Sequence, residues 1–279
     1  MALENLSQQE VEVLEQELLE RVPESGRIGN KSLRTQLIAL GRWDASLYWE
    51  VRNNLIDRGL LVKGGGNGGS VRRPEATVEA PTDQGDETQD GAPEGDEQAD
   101  QRLPEPALYE PMAQVIREDW TKDFRLDSFT LEVTAHQGAR HTGGKWTRPD
   151  ITLASIKTFA YVPGKHFDLV TFEIKPQDAI DITVVYEALA HRRAATRAFA
   201  LLHVPDDKKD ALEPVITEIC SQAKQFGVGV IIASNPSDYD TWEEVVESVR
   251  NEPDPERLND FLSQQVSLQF RETVVRWFR

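Results

Sequence analysis

The chain is short of nearly everything that would place it outside a cell or inside a membrane. Its 279 residues include one cysteine, Cys220, so no internal disulfide can form. A lone thiol in an apolar helical pattern fits a reducing compartment. No apolar run approaches the roughly 18 residues of a spanning helix, and the start shows no signal pattern. A soluble, cytoplasmic protein with no membrane contact is expected. There is no Gly-rich phosphate loop ahead of a Lys, no dinucleotide fingerprint, no His/Cys spacing suited to zinc and no internal repeat. ATP-driven motion and dinucleotide chemistry have no support. Positive charge is also scarce: the net charge is −17, which by itself argues against nucleic acid as a partner.

The distribution of that charge divides the chain into three parts. Residues 1–73 hold ten acidic and ten basic side chains. Residues 74–105 hold eleven acidic side chains and a single basic one, Arg102. Residues 106–279 hold twenty-seven acidic and twenty basic. Most of the excess is therefore local. Residues 74–106 are Asp, Glu, Gly, Gln, Pro, Thr and Ala with hardly a large apolar side chain. Such a segment cannot bury enough surface to offset its ordering entropy, and a disordered acidic linker is expected to hold two domains apart but tethered. The alternative is an autoinhibitory tail competing with DNA for a basic groove.

In residues 1–73, Val11, Val13, Leu14, Leu18 and Leu19 recur at roughly helical spacing from Ser7 to Val22. Asn30 or Ser32 can cap a second helix to about Leu40, and Asp44 a third to Arg58, stopped by Gly59. Two short strands, Leu60 to Lys63 and Ser70 to Arg73, flank a Gly/Asn turn and read as a hairpin. Three helices and a hairpin resemble a winged helix-turn-helix. Between Ser25 and Arg73 nine basic residues face three acidic ones. That resemblance implies DNA contact by Ser46, Trp49, Arg52 and Asn53 in a major groove, with Lys63, Arg72 and Arg73 near phosphates. The alternative is a protein-binding or dimerisation unit with Trp49 in its core.

The third part, 107–279, is organised around Asp168-Leu169-Val170-Thr171-Phe172-Glu173-Ile174-Lys175. Its alternation is that of a strand with Val170, Phe172 and Ile174 on one face and Glu173 and Lys175 on the other. Asp150 opens another strand, and an antiparallel return through Tyr161 to Lys165 would bring it beside Glu173. Adjacent Asp and Glu suit a hard cation, and a neighbouring Lys can hold a water or a phosphate oxygen. Around these strands we read a helix from Leu108 to Trp120 and a strand from Phe124 to Ala135. A Gly/His/Arg-rich loop (Gly138 to Lys145) follows. After Lys175 come a helix from Asp178 to about Ala195, a strand from Ala198 to Val204, a helix from Ala211 to Gln225 and a strand from Val228 to Ser234. The fold class is α/β (α+β overall), an αβββαβαβ core with a mixed sheet.

Pro149-Asp150 … Glu173-Ile174-Lys175 within that order resembles the PD-(D/E)XK nuclease superfamily, with its restriction-endonuclease-like fold. The resemblance implies a metal-dependent endonuclease hydrolysing DNA phosphodiesters, in restriction or other anti-phage defence. By it, Asp150, Glu173 and the Ile174 carbonyl hold Mg²⁺ (or Mn²⁺), Lys175 orients the attacking water, and Glu110 matches an additional acid on the first helix. His191, Arg192 and Arg193, on the helix after the motif strand, are candidate contacts to the DNA backbone or simply a solvated face.

Residues 237–279 read as helical: one helix from Asp238, Asp240 or Thr241 through Val249, another from Pro255 to the end. Their apolar positions suit packing on the sheet or a homodimer. Rival readings are a non-catalytic DNA-binding regulator built on the nuclease fold and a nuclease subunit active only when recruited by a partner.

Overall fold

The computed structural model describes residues 6–63, 70–74, 103–135 and 148–279. The expected linker lies almost wholly outside the described residues, as does the loop from Gly138 to Lys145.

Helix α1 (Gln8–Arg21) begins at a reciprocal cap. The Glu10 N–H donates to Ser7 Oγ, and the Ser7 N–H donates to Glu10 Oε2 at 2.8 Å. After β1 (Ile28–Gly29) come α2 (Asn30–Ile38) and α3 (Ala45–Asp57), the latter capped by Asp44, which accepts from the Leu47 N–H at 2.9 Å. Gly59 leaves α3 at φ +70°, where a side chain would be strained. Strands β2 (Val62–Lys63) and β3 (Ser70–Arg72) pair antiparallel, and β3 also pairs with β1, giving the order β1-β3-β2. The hairpin strands match expectation; β1 is an addition, too short at two residues to leave a pattern.

The larger unit is a mixed six-stranded sheet between helical layers. Helix α4 (Glu105–Val115) runs through a π-helical turn at 116–120 into α5 (Thr121–Asp123). The strands β4 (Ser128–Val133), β5 (Ile151–Phe159), β6 (Val162–Lys175), β7 (Arg197–His203), β8 (Gly229–Ala233) and β9 (Trp242–Val246) lie in sequence order across the sheet. Pairings are antiparallel from β4 to β6, parallel from β6 to β8, and antiparallel at β9. The two parallel steps are crossovers through α6 (Thr183–His191) and α7 (Lys209–Phe226). One face, with Val170, Phe172, Ile174, Phe199 and Leu201, packs under α4 and the π turn. There Trp120 meets Phe172 and Phe199 edge-on, with centroids at 5.4 and 5.9 Å. The other face, with Ala198, Ala200, Leu202 and Val230, packs on α6 and α7, and Ala154 and Leu169 pack on α8 (Pro255–Gln265) and α9 (Leu268–Trp277).

The tail departs from the expected helices. Residues 242–246 form β9 on the otherwise open edge of β8, with Trp242, Glu244 and Val246 buried and the residues between half-buried. That is a period of two, disguised by an inward-facing glutamate. The last helix is broken at Val266, which is extended, and restarted by Ser267, whose hydroxyl accepts from the Phe270 N–H. Helix α6 is also shorter than the stretch 178–195 expected for it.

The two folded units are not held apart. One apolar core runs from Leu14 and Trp49 to Phe172 and Ile231. At the junction Asp123 accepts from Arg52 at 2.5 Å, from Lys63 at 3.0 Å and from the Tyr239 hydroxyl at 2.7 Å. Arg34–Asp119 and Arg125–Asp57, both at 2.7 Å, flank it. Among the described residues no helix is long and apolar enough to cross a membrane.

Candidate active site

The β5–β6 hairpin sets Ile151 opposite Phe172, so the residue before β5 and the residues ending β6 share one end of the sheet. Asp150 is fixed there by its backbone. Its N–H donates to the Phe172 carbonyl at 3.1 Å, and its carbonyl accepts from the Thr134 N–H at 2.8 Å. Its side chain accepts from the Ile174 N–H at 2.7 Å. Asp150 and Glu173 are 7% and 8% exposed. Glu173 and Lys175, two residues apart on one strand, project side by side, and Lys175 Nζ donates to Glu173 Oε1 at 2.9 Å.

Four further side chains complete the cluster, none of them expected in this role from the sequence. Glu187 of α6 pairs with Lys175 at 2.8 Å. Glu105, in the first turn of α4, lies 3.7 Å from Lys175 and accepts from the Tyr109 hydroxyl at 2.6 Å. Tyr109 also bonds Asp150. One turn after Glu187, His191 places Nε2 3.9 Å from Glu173 Oε2. The signal for Glu105 and Tyr109 was their i, i+4 spacing beside the buried Leu108 and Met112; that for Glu187 and His191 was the same spacing around the buried Ala188.

Electrostatics follow from burial. Desolvation pushes the Asp150 and Glu173 carboxyls above the ordinary carboxylate range, and nearby acids (Glu105 for Asp150, Asp150 for Glu173) push further. Burial opposes the charge on Lys175, but Glu173 and Glu187 outweigh it and raise its pKa. Burial and then the Lys175 charge lower His191 to about 3, so its ring is neutral. Three carboxyl groups, those of Glu105, Glu173 and Glu187, thus lie within 4 Å of one ammonium.

The remaining expected site residues go elsewhere. Glu110 is exposed, five residues beyond Glu105 and so on another side of α4. Arg192 donates to the carbonyls of Phe226 and Val249, and Arg193 is exposed. His191 is buried in the cluster and so is no surface contact for a DNA backbone. On the face of α3 expected in a major groove, Trp49 is 4% exposed and lies against Tyr239, with ring centroids 6.4 Å apart. Arg52, fully buried, stacks on Trp49 and donates to Asp123 and to buried Asn53. Ser46 is on α3, with its side chain outside the described residues. Lys63 sits over the Phe124 ring and pairs with Asp123. Arg73 donates to the carbonyls of Val22 and Leu19, and Arg72 donates to the Arg73 carbonyl. Arg52 and Lys63 tie the fold together because Asp123, buried, demands partners, while Arg72 and Arg73 are spent on backbone carbonyls.

Among the described residues no group of three or more His, Cys, Asp or Glu is arranged to hold a metal ion. Compared with known proteins, the chain matches no family model and no curated relative.

Proposed function

We propose that the chain is a metal-dependent nuclease of the PD-(D/E)XK type, hydrolysing DNA phosphodiesters. The observation that carries the reading is the juxtaposition of Asp150, Glu173 and Lys175 at one end of a mixed sheet, with both carboxyls buried and Asp150 held by the Ile174 N–H. Two buried carboxylates with raised proton affinity are what a hard divalent cation replaces a proton on. Mg²⁺ is commonly held by only one or two carboxylates, with waters and substrate phosphates filling its other positions. A two-carboxylate pair without a third acidic ligand therefore fits Mg²⁺ or Mn²⁺. Asp150, Glu173 and the Ile174 carbonyl would hold it, supplying charge neutralisation at the phosphate and a more acidic water. Lys175 orients that water and stabilises charge on the phosphate oxygens. Glu187 and Glu105 hold the ammonium in place, and Tyr109 steadies Asp150. Glu105, in place of Glu110, is the additional acid of the first helix.

The N-terminal unit, with helix order and a three-stranded sheet that resemble a winged helix, serves here as a docked scaffold. Its α3 face packs on the larger unit, and Trp49, Arg52 and Asn53, buried there, are not free to meet a DNA groove. That burial, with the net charge of −17, favours one second reading: a nuclease subunit brought to DNA by a partner, as in a defence assembly or a homodimer.

The test is incubation of purified protein with supercoiled and linear DNA plus Mg²⁺ or Mn²⁺, beside Asp150→Ala and Lys175→Ala. Cleavage lost in both variants supports the site. Cleavage that persists in them refutes it. Cleavage appearing only with an added partner supports the recruited reading.

A further inference from the structure

The β5–β6 hairpin is longer than the strands beside it. Strand β4 pairs with β5 only as far as Ile156, and β7 pairs with β6 only from Val170 onward. Residues 157–167 therefore form a two-stranded arm that reaches beyond both neighbours. Its tip carries aromatic rings into water, with Phe159 52% and Tyr161 98% exposed. The end of α9 lies against the arm, Trp277 and Phe278 packing near Phe167 with ring centroids at 6.5 and 6.0 Å. Phe278 is itself 56% exposed.

Between arm and helix runs a groove of about 550 Å³ walled by Phe159 and Trp277. Arg125, Lys157, Lys165 and Arg276 line it, against one acid, Asp127. In a chain of net charge −17 this is a local reversal of sign. Of the four cations only Arg125 has a carboxylate within 4 Å among the described residues, the exposed Asp57. Lys157 and Lys165 donate to the carbonyls of Phe124 and Trp277, and Arg276 to the Glu272 carbonyl and Thr273 Oγ1. Cations without carboxylates beside exposed rings match the two halves of a nucleotide strand, phosphates for the one and base faces for the other. An apolar protein surface would desolvate the cations without pairing them. An acidic peptide would pair them and offer the rings nothing flat to stack on.

We propose that the groove between the arm and α9 binds single-stranded DNA, with bases stacked on Phe159 and Tyr161 and phosphates held by Lys165 and Arg276. This rests on the reading of the chain as DNA-directed and names a surface for its substrate, which the buried α3 face does not supply. The nine residues of β5, at about 3.3 Å each, put the tip roughly 30 Å from Asp150. The strand held there is one leading away from the cut.

The test is fluorescence anisotropy of a labelled oligothymidylate with the full chain at low salt and without divalent metal, so that no cleavage enters. Tyr161→Ala, at a position too exposed for the fold to depend on it, should weaken binding at least about fivefold, the lower end of what one stacked aromatic contributes. The double variant Lys165→Gln, Arg276→Gln should flatten the slope of log affinity against log salt by about 1.4, at about 0.7 per phosphate contact on a single strand. Lys209→Gln, a cation at the start of α7, should change neither, and Asp150→Ala should bind as wild type does. No binding by the folded wild type, binding unaltered in the arm variants, or stronger binding of a blunt duplex overturns the inference. So does self-association in sedimentation that Tyr161→Ala abolishes, which would give the arm to a second copy of the chain. All of these leave the nuclease reading to the cleavage test on Asp150 and Lys175.

Discussion

Replacing Arg52 by Met separates the two uses to which the α3 face can be put. In the structure Arg52 is fully buried, its guanidinium 2.5 Å from Asp123 and stacked on Trp49 at 5.2 Å. Removing one partner of a buried ion pair costs about 3–5 kcal/mol, because the other charge is left in a poor solvent. Two features moderate this. Asp123 keeps Lys63 at 3.0 Å and the Tyr239 hydroxyl at 2.7 Å. Arg52 Nε and Nη2 have no hydrogen-bond partner among the described residues, so deleting them recovers on the order of 1 kcal/mol of desolvation. Met also retains much of the packing over Trp49. A loss of about 2–3 kcal/mol is expected. Urea unfolding followed by tryptophan fluorescence reads it, since Trp49 lies at the junction. Arg42→Met is the control. Arg42 is half exposed and pairs with Glu17, and such surface pairs are worth about 0–1 kcal/mol. An Arg52→Met protein as stable as wild type but weakened in DNA binding would refute the docked arrangement and restore the groove-reading role.

Three further outcomes follow from the geometry. The raised carboxyls of Asp150 and Glu173 ionise near pH 4 in the unfolded chain but higher in the folded one. The folded state therefore binds more protons above pH 4, and the pair makes the metal-free protein less stable as pH rises from about 4 through neutrality; urea midpoints should show that slope flattened in Asp150→Asn, and an unchanged slope would refute it. A Cβ at Gly29 would run into the Asp240 carboxylate, which accepts from the Ser32 N–H at 3.2 Å. Gly29→Ala should therefore cost about 1–3 kcal/mol, seen as a lower melting temperature, and an unaltered melt would refute the contact. Glu187→Gln removes one of the anions that hold Lys175 charged, so the pH midpoint for acylation of Lys175, read by mass spectrometry, should move down; a fixed midpoint would show that Glu187 does not govern the lysine.

Much of the larger unit was legible because its signals were local. Period-two alternation in 168–175 placed Glu173 and Lys175 on one face, and the turn before Lys165 returned the chain so that Asp150 stands beside Glu173. The buried runs at 198–204 and 228–234 were plain as strands for the same reason. What failed were positions whose fate is decided by a distant partner. Residues 242–246 are a strand because β8 offers an open edge, and Glu244, raised to about pH 7 by burial, interrupts the apolar alternation that would have marked them. The acid of the first helix was sought at Glu110, yet the face that meets the site is fixed by Leu108 and Met112, which puts Glu105 and Tyr109 there.

The N-terminal unit makes the same point through charge. A surplus of Arg and Lys between Ser25 and Arg73 reads as a phosphate-binding surface only while the acids that answer it are out of view. Asp123, Asp119 and the carbonyls closing α1 lie far away in sequence or are backbone, and no composition count includes them. Asp123 shows the consequence: burial alone would raise its carboxyl, yet Arg52 and Lys63 outweigh burial and hold it below the usual range. Its ionisation thus depends on cations from the other unit. A basic helix face is evidence of an anion to be met, and here the anion is the protein's own. The cluster around Asp150 and Glu173 is the converse case, with acids in excess over their one ammonium, and under the proposed function a cation from outside the chain would answer that excess.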